Sequence, residues 1–459
     1  MTRSRWRRVA AALAAVLAIA AGFYLVRAAA ILAAYKAKML CSEVFLAGRD
    51  PAAVERELEV NDLQALRVVA DSIDHRARRV TSSVAGFVVR DAVSAGDRGC
   101  TLAPDPATHP GESTPRSGGT LRVALDDRLR AVIDRAFTEP QPGRPRLTRA
   151  IVAVRDGLIV GERYAPGFTA DTPLLGWSMT KTMMNALVGV LVREGRLQLD
   201  RPVPIPEWQD AGDPRRAITL DHLLRMSSGL EFDESAWNPV SDVTVMLLAA
   251  PDAGRYAASK RSVAAPGTVW QYSSGTTNII SRAIRIAIGE AEYARLPRRA
   301  LFDPLQMSSA VIETDPSGTF VGSSFGYATA RDWARLGMLY VNDGVWDGAR
   351  ILPEGWVAYT RTPAPADPLQ RYGAHVWLKV AEAYSGDAVL PTDTFHATGH
   401  AGQFVTMIPS ERLVVVRLGL TRYAGAWDQT GFVRDVINAL GTTGTAGERP
   451  SHEDTRAWH

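Results

Sequence analysis

The most continuous hydropathy signal lies at the start of the chain. Positions 9–26 are apolar without a break, Arg27 interrupts them, and apolar character resumes as far as Tyr35. Arg3, Arg5, Arg7 and Arg8 precede the run. The core of a cleaved signal is usually about 7–15 residues long, whereas a bilayer span needs roughly 17–20. The pattern therefore predicts an uncleaved transmembrane helix within residues 1–40. Secretion after cleavage near residues 28–30 is the alternative. Arginines stay on the cytoplasmic side, so everything from Cys41 onward is expected outside, in the periplasm of a bacterial-type, singly spanned inner membrane.

Shorter periods follow. Residues 52–66 read as a helix opened by Asp50-Pro51, and 67–73 and 79–89 as strands joined by a polar turn at Asp74-His75. Residues 101–120 are rich in Pro, Gly, Ser and Thr, the composition of a linker. A helix is expected over 121–137. Two apolar runs, 147–154 and 158–164, flank Arg155-Asp156-Gly157, a strong hairpin signal. A nearly unbroken apolar stretch, 182–194, ends at Gly195 and reads as a buried helix. Residues 198–261 are helices and proline-broken loops, with Thr219 as the cap of a helix over 220–226. Further helices are expected over 277–289 and 331–342. A second hairpin, 403–408 and 413–420, turns at Pro409-Ser410-Glu411, and a helix over 431–440 precedes a polar tail.

Strand hairpins thus stand at both ends of the main domain, with a mostly helical block between them. Pairing the terminal hairpins gives one antiparallel sheet flanked by helices, and the helical block becomes a second lobe across a cleft. That is an α/β architecture of the α+β type. The expected organisation is a basic tip and membrane helix (1–40), a small membrane-proximal module (41–100), a linker (101–120), the main domain (121–445) and a tail (446–459). In an oxidising compartment the two cysteines, Cys41 and Cys100, are expected to pair. A net charge of +3 is too small to argue for nucleic acid.

Candidate chemistry starts at Ser178 and Lys181. Residues three apart share a helix face, so the amine can reach the hydroxyl. A serine needs a base to become a nucleophile, and a desolvated lysine can be that base. The helix N-terminus adds N–H groups where an oxyanion forms. Only five of the 52 basic residues are lysines (Lys36, Lys38, Lys181, Lys260 and Lys379), and arginine cannot act as a base. Tyr272 is a candidate proton shuttle, with a pKa that a neighbouring protonated lysine would lower. Gly399-His400-Ala401-Gly402-Gln403 opens a strand whose small residues let backbone N–H groups approach a substrate. Nothing calls for a metal or cofactor: His222, His375 and His396 lack ligand spacing, although His396 is near enough to the third motif to line the cleft.

Taken in order, Ser178-Met179-Thr180-Lys181, Tyr272-Ser273-Ser274 and His400-Ala401-Gly402 resemble the S-x-x-K, Y-x-N/S and K/H-x-G elements of the serine β-lactamase-related superfamily. That superfamily includes class C β-lactamases, D,D-peptidases, esterases and nylon-oligomer hydrolases. Residues 218–230 (ITLDHLLRMSSGL), 302–307 and 329–335 look like it too, and the resemblance covers roughly 121–440. Gly176-Trp177-Ser178 and the loop holding Glu234 and Trp237 look closest to 6-aminohexanoate-dimer hydrolases. The resemblance implies a β-lactamase/transpeptidase-like fold. It makes Ser178 the acylated nucleophile, Lys181 its base and Tyr272 the shuttle, with the N–H groups of Ser178 and Gln403 as oxyanion hole. It also sets Trp177, Glu234, Trp237, Ser274, His400, Ala401 and Gly402 around the substrate. Ser274 stands where β-lactamases carry asparagine, and His400 where they carry lysine. Both changes favour a small ester or amide over a β-lactam or a D,D-peptidase substrate. A catalytically silent envelope protein on the same scaffold is the remaining alternative.

Overall fold

A long apolar run folds as one helix because the helix satisfies its backbone internally. In the computed structural model, which describes residues 3–102, 121–236 and 238–441, that helix is α1 (Arg3–Phe45). It is long and apolar enough to cross a membrane. Residues 10–27 are exposed, and from Ala28 onward the helix enters the protein. There it packs against a four-stranded antiparallel sheet, β1 (Val69–Asp74), β2 (Arg79–Val84), β3 (Val88–Ser94) and β4 (Cys100–Thr101). Cys41, near the end of α1, is disulfide-bonded to Cys100 on β4, with Cα atoms 6.1 Å apart.

Three local expectations for this region are corrected. The strand expected over 79–89 is two strands, because Ala85 and Gly86 take positive φ (52° and 76°) and turn the chain. The first strand begins at Val69 rather than at residue 67. The helix expected over 52–66 is α-helical only over Pro51–Arg56, then widens over Glu57–Asp62. Both ends of the widened turn point carboxylates into the main domain: Glu57 pairs with Arg149, and Asp62 with Arg422. Of the linker expected over 101–120, Thr101 belongs to β4, and residues 103–120, like the polar tail over 446–459, lie outside the described residues.

The main sheet has six strands, β5 (Arg122–Val123), β6 (Thr148–Arg155), β7 (Leu158–Tyr164), β8 (Phe395–Gly399), β9 (Gln403–Ile408) and β10 (Leu413–Gly419), in the order β8-β9-β10-β6-β7-β5. The two terminal hairpins join at β6 and β10, with Val152 opposite Val416. All pairs are antiparallel except β5 with β7. Helix α2 (Asp127–Ala136) begins at the capping Asp126, because residues 122–123 are spent on β5. Buried helix α3 (Thr180–Arg193) and helices α4 (Asp242–Leu248) and α5 (Ser274–Ile288) belong to the helical lobe. Helix α5 starts three residues before the expected 277, where Ser273 caps it. Helix α6 (Ala330–Val341) covers one face of the sheet, and α7 (Gln429–Leu440) joins α2 on the other. Val152, Val154, Val414 and Val416 belong to the core of the α6 face, and Ile151, Ala153 and Val415 to that of the opposite face. A sheet buried on both faces reads as continuous apolar runs, as its strands do.

The two parts of the protein share a core. Ala33, Ala37 and Leu40 of α1 cluster with Val80 and Ala92 of the small sheet and with Phe325 and Tyr327 of the main domain. Glu313, fully buried, accepts from Lys38 and Ser42 of α1 and from the Cys100 backbone N–H.

Candidate active site

Ser178 lies in a 3-10 turn, Trp177–Met179, that runs directly into α3. The first N–H groups of such a helix have no partner within it. Trp177, just before the serine, has φ 49°. A bulky residue in the left-handed region is a strained position, of the kind that clusters at functional sites. Close approaches hold the turn in place. A Cβ on Gly399, at the end of β8, would lie 2.1 Å from the Gly176 carbonyl oxygen, and one on Gly176 would lie 2.3 Å from the Trp333 ring. Only glycine at both positions lets the sheet edge, the serine turn and Trp333 stack this closely.

Lys181 is buried, and its Nζ donates to three oxygens: Ser178 Oγ at 3.0 Å, Ser274 Oγ at 3.2 Å and the Ser323 carbonyl at 2.9 Å. Burial lowers its pKa to about 8, against an opposing pull from Glu234. Ser274 gives its hydroxyl proton to Glu234 Oε1, and its backbone N–H donates to Glu234 Oε2 at 2.8 Å. Ser274 Oγ and the Ser323 carbonyl can therefore only accept from Lys181. A neutral amine has two hydrogens and one lone pair. With both hydrogens so placed, the lone pair is left for the Ser178 hydroxyl proton. Glu234 is itself raised above the ordinary carboxylate range, mainly by burial, with Lys181 and Ser274 resisting.

The Tyr272 hydroxyl pairs with the Ser178 side chain, and Lys181 Nζ lies 4.9 Å from its ring centroid. Its pKa is raised, not lowered as expected: burial dominates and the Glu234 carboxylate adds to it. Tyr272 is thus a phenol near neutrality, able to donate a proton. His400 stacks edge-on against Trp177, ring centroids 5.6 Å apart. It presents an exposed face, while the protein crowded around its ring lowers its pKa, so it is uncharged at pH 7.

Ser178, Tyr272, Ser274, Glu234, Trp177, Gly399 and His400 line one cavity of about 560 Å³. Several expected residues lie elsewhere. Ala401 and Gly402 form the tight turn between β8 and β9, with φ 58° and 80°, so the motif closes β8 as well as opening β9. The Gln403 side chain lies behind the lining, bonded to the carbonyls of His400, Ala401 and Gly419. His396 is buried against Thr406 and does not line the cavity. Trp237 is outside the described residues.

The model of the family described as Beta-lactamase matches residues 133–426. The chain belongs to the β-lactamase family. It is 26% identical over 243 residues to the 6-aminohexanoate-dimer hydrolase of Paenarthrobacter ureafaciens, a match covering 50% of this chain and 61% of that protein's length. Its fold is similar to that of a family VIII carboxylesterase (TM-score 0.52, 18% identity, 68% of this chain and 97% of that one). It is also similar to a penicillin-binding protein homologue from Caulobacter crescentus (TM-score 0.50, 17% identity, 69% and 98%).

Three groups in this β-lactamase-family site escape sequence reasoning. Ser323, whose carbonyl receives Lys181, is held by Asn278 of α5 through two hydrogen bonds of 3.1 and 3.2 Å. Trp377 stands 5.4 Å from the Tyr272 ring and shares the cavity wall. Ala28, Ile31, Leu32, Tyr35 and Met39 of α1 complete that wall. A carbonyl contact leaves no mark in sequence. Residues 28–35 carry only the apolar signature already attributed to a membrane helix.

Proposed function

We propose that the protein is a serine hydrolase that cleaves a small ester or amide through an acyl-enzyme on Ser178, anchored by α1 with its hydrolase domain on the outer side of the membrane. The observation that carries this reading is the buried Lys181 amine, 3.0 Å from Ser178 Oγ and with its pKa lowered to about 8. Neutral Lys181 takes the hydroxyl proton as Ser178 Oγ attacks the substrate carbonyl carbon. The tetrahedral oxyanion meets the N–H groups at the start of the Ser178 helix, with the Gln403 N–H at the edge of β9 as the second donor. As the carbonyl re-forms, the alcohol or amine leaves with a proton from Tyr272, which Lys181 replaces. Water then attacks the acyl-enzyme, giving its proton to the Lys181–Tyr272 pair, and Ser178 departs reprotonated. Preorganised donors and general-base assistance supply the acceleration.

Neutral His400 supports an uncharged ester or amide rather than a β-lactam, since it offers no cation for a substrate carboxylate. The disulfide supports export, and an apolar helix long enough to span a bilayer supports an anchor over a shorter cleaved signal. The reading is tested by treating the full chain with a fluorophosphonate probe and locating the adduct by peptide mass spectrometry. One adduct, on Ser178 and absent in Ser178→Ala, is expected. A folded protein that takes no label, or labels elsewhere, would overturn the reading.

A further inference from the structure

The exposed apolar part of α1 runs directly into the stretch of the same helix that lines the cavity holding Ser178. Leu17, Ile19, Phe23, Leu25 and Val26 are exposed, and Ala28, the second residue beyond Val26, already lines the cavity that holds Ser178. Ile31, Leu32 and Met39 continue that wall. From Ala28 to Met39 the helix rises about 16 Å at 1.5 Å per residue. Val243, Leu247 and Leu248 of α4 face the cavity as well, and the lining is mostly apolar. If residues 10–27 lie in a bilayer, the cavity's α1 edge begins at the membrane surface. A soluble, polar substrate gives no reason for a nucleophile to share its cavity with the continuation of a membrane helix.

We propose that the substrate is a membrane-borne acyl ester or acyl amide, with its aliphatic chain lying between α1 and α4 and its carbonyl at Ser178. The proposal rests on the serine-hydrolase reading above. The chain enters past Ala28, and the acyl group moves from the substrate's alcohol or amine to Ser178 Oγ and then to water. The released fatty acid returns along the same apolar wall.

The test uses the full chain in phosphatidylcholine nanodiscs with p-nitrophenyl acetate, octanoate and laurate. Burying a methylene favours binding roughly three- to fourfold, so kcat/KM is expected to rise at least tenfold from acetate to laurate. Leu32→Trp, which fills the α1 wall, is expected to lower the laurate/acetate ratio at least tenfold. Leu247→Trp does the same from the α4 side, in case the first variant unfolds, and thermal unfolding is recorded for both. A flat or falling profile in a protein whose Ser178 still takes the fluorophosphonate label overturns the proposal and leaves the hydrolase reading standing. A ratio unmoved by either folded variant overturns it equally. Absence of both labelling and turnover at every chain length removes the hydrolase reading and this proposal with it.

Discussion

At Lys181, burial decides whether the amine is available as a base. An amine held at an ordinary lysine pKa is almost fully protonated at pH 7, whereas one lowered to about 8 is neutral in roughly a tenth of molecules. Acylation is therefore expected to rise with pH through about 8, as measured by stopped-flow release of p-nitrophenol. The same shift affects stability. Between about 8 and the usual lysine value the unfolded chain holds the proton and the folded one does not, so folding gains stability as pH rises across that window. Glu234 pulls in the opposite direction, favouring the charged amine through space. Glu234→Gln should move the acylation midpoint to lower pH, and a midpoint that stays or rises would mean Glu234 does not act on Lys181. That Lys181 meets Ser178 was legible because residues three apart share a helix face, whereas Tyr272, far along the chain, was singled out by the family resemblance. The Ser323 carbonyl was not, because every residue has one, and only the fold decides which oxygen meets the amine.

Among the elements, the meeting of β8 with the serine turn governs the site. The Gly399 Cα leaves no room for a methyl group against the Gly176 carbonyl. Gly399→Ala should therefore displace the edge of β8 from the serine turn and lower kcat/KM at least tenfold, with a small change in thermal unfolding. Near wild-type turnover would show that the edge tolerates the shift. The hairpins were legible from alternation and turn residues: Asp156 and Gly157 both take the positive φ that such a turn needs. Element starts were less so. Ser273 outranks Thr277 as the start of α5 because its side chain accepts from the Thr276 N–H, a choice between neighbouring hydroxyl residues that hydropathy does not separate.

For the whole molecule, the decisive fact is that the N-terminal part, residues 28–102, and the main domain fold around common groups. Glu313 is buried with Lys38, Ser42 and the Cys100 N–H around it. Removing one partner of a buried ion pair costs about 3–5 kcal/mol, so Glu313→Ala should lower the unfolding midpoint by the equivalent of that amount. The disulfide closes a sequence separation of 59 residues, for which chain entropy gives about 4 kcal/mol. Reducing it should expose α1 to proteolysis, and an unchanged cleavage pattern would count against the shared core. This union could not be read from sequence. Arg27, Lys36 and Lys38 mark where α1 changes character, but nothing in their pattern names their partners, and Lys38 and Glu313 are far apart along the chain.

The central claim is that Lys181 accepts the Ser178 proton, and Lys181→Arg tests it most directly. Arginine keeps the positive charge but does not deprotonate. The measurement is the acylation rate of the folded variant beside wild type, with thermal unfolding recorded on the same samples. General-base assistance contributes about 10²–10⁴-fold. The account predicts a loss of at least that order, close to that of Ser178→Ala because the pair acts as a unit. A well-folded Lys181→Arg protein that acylates within a few-fold of wild type would contradict it, and Tyr272 would then be the group that activates Ser178.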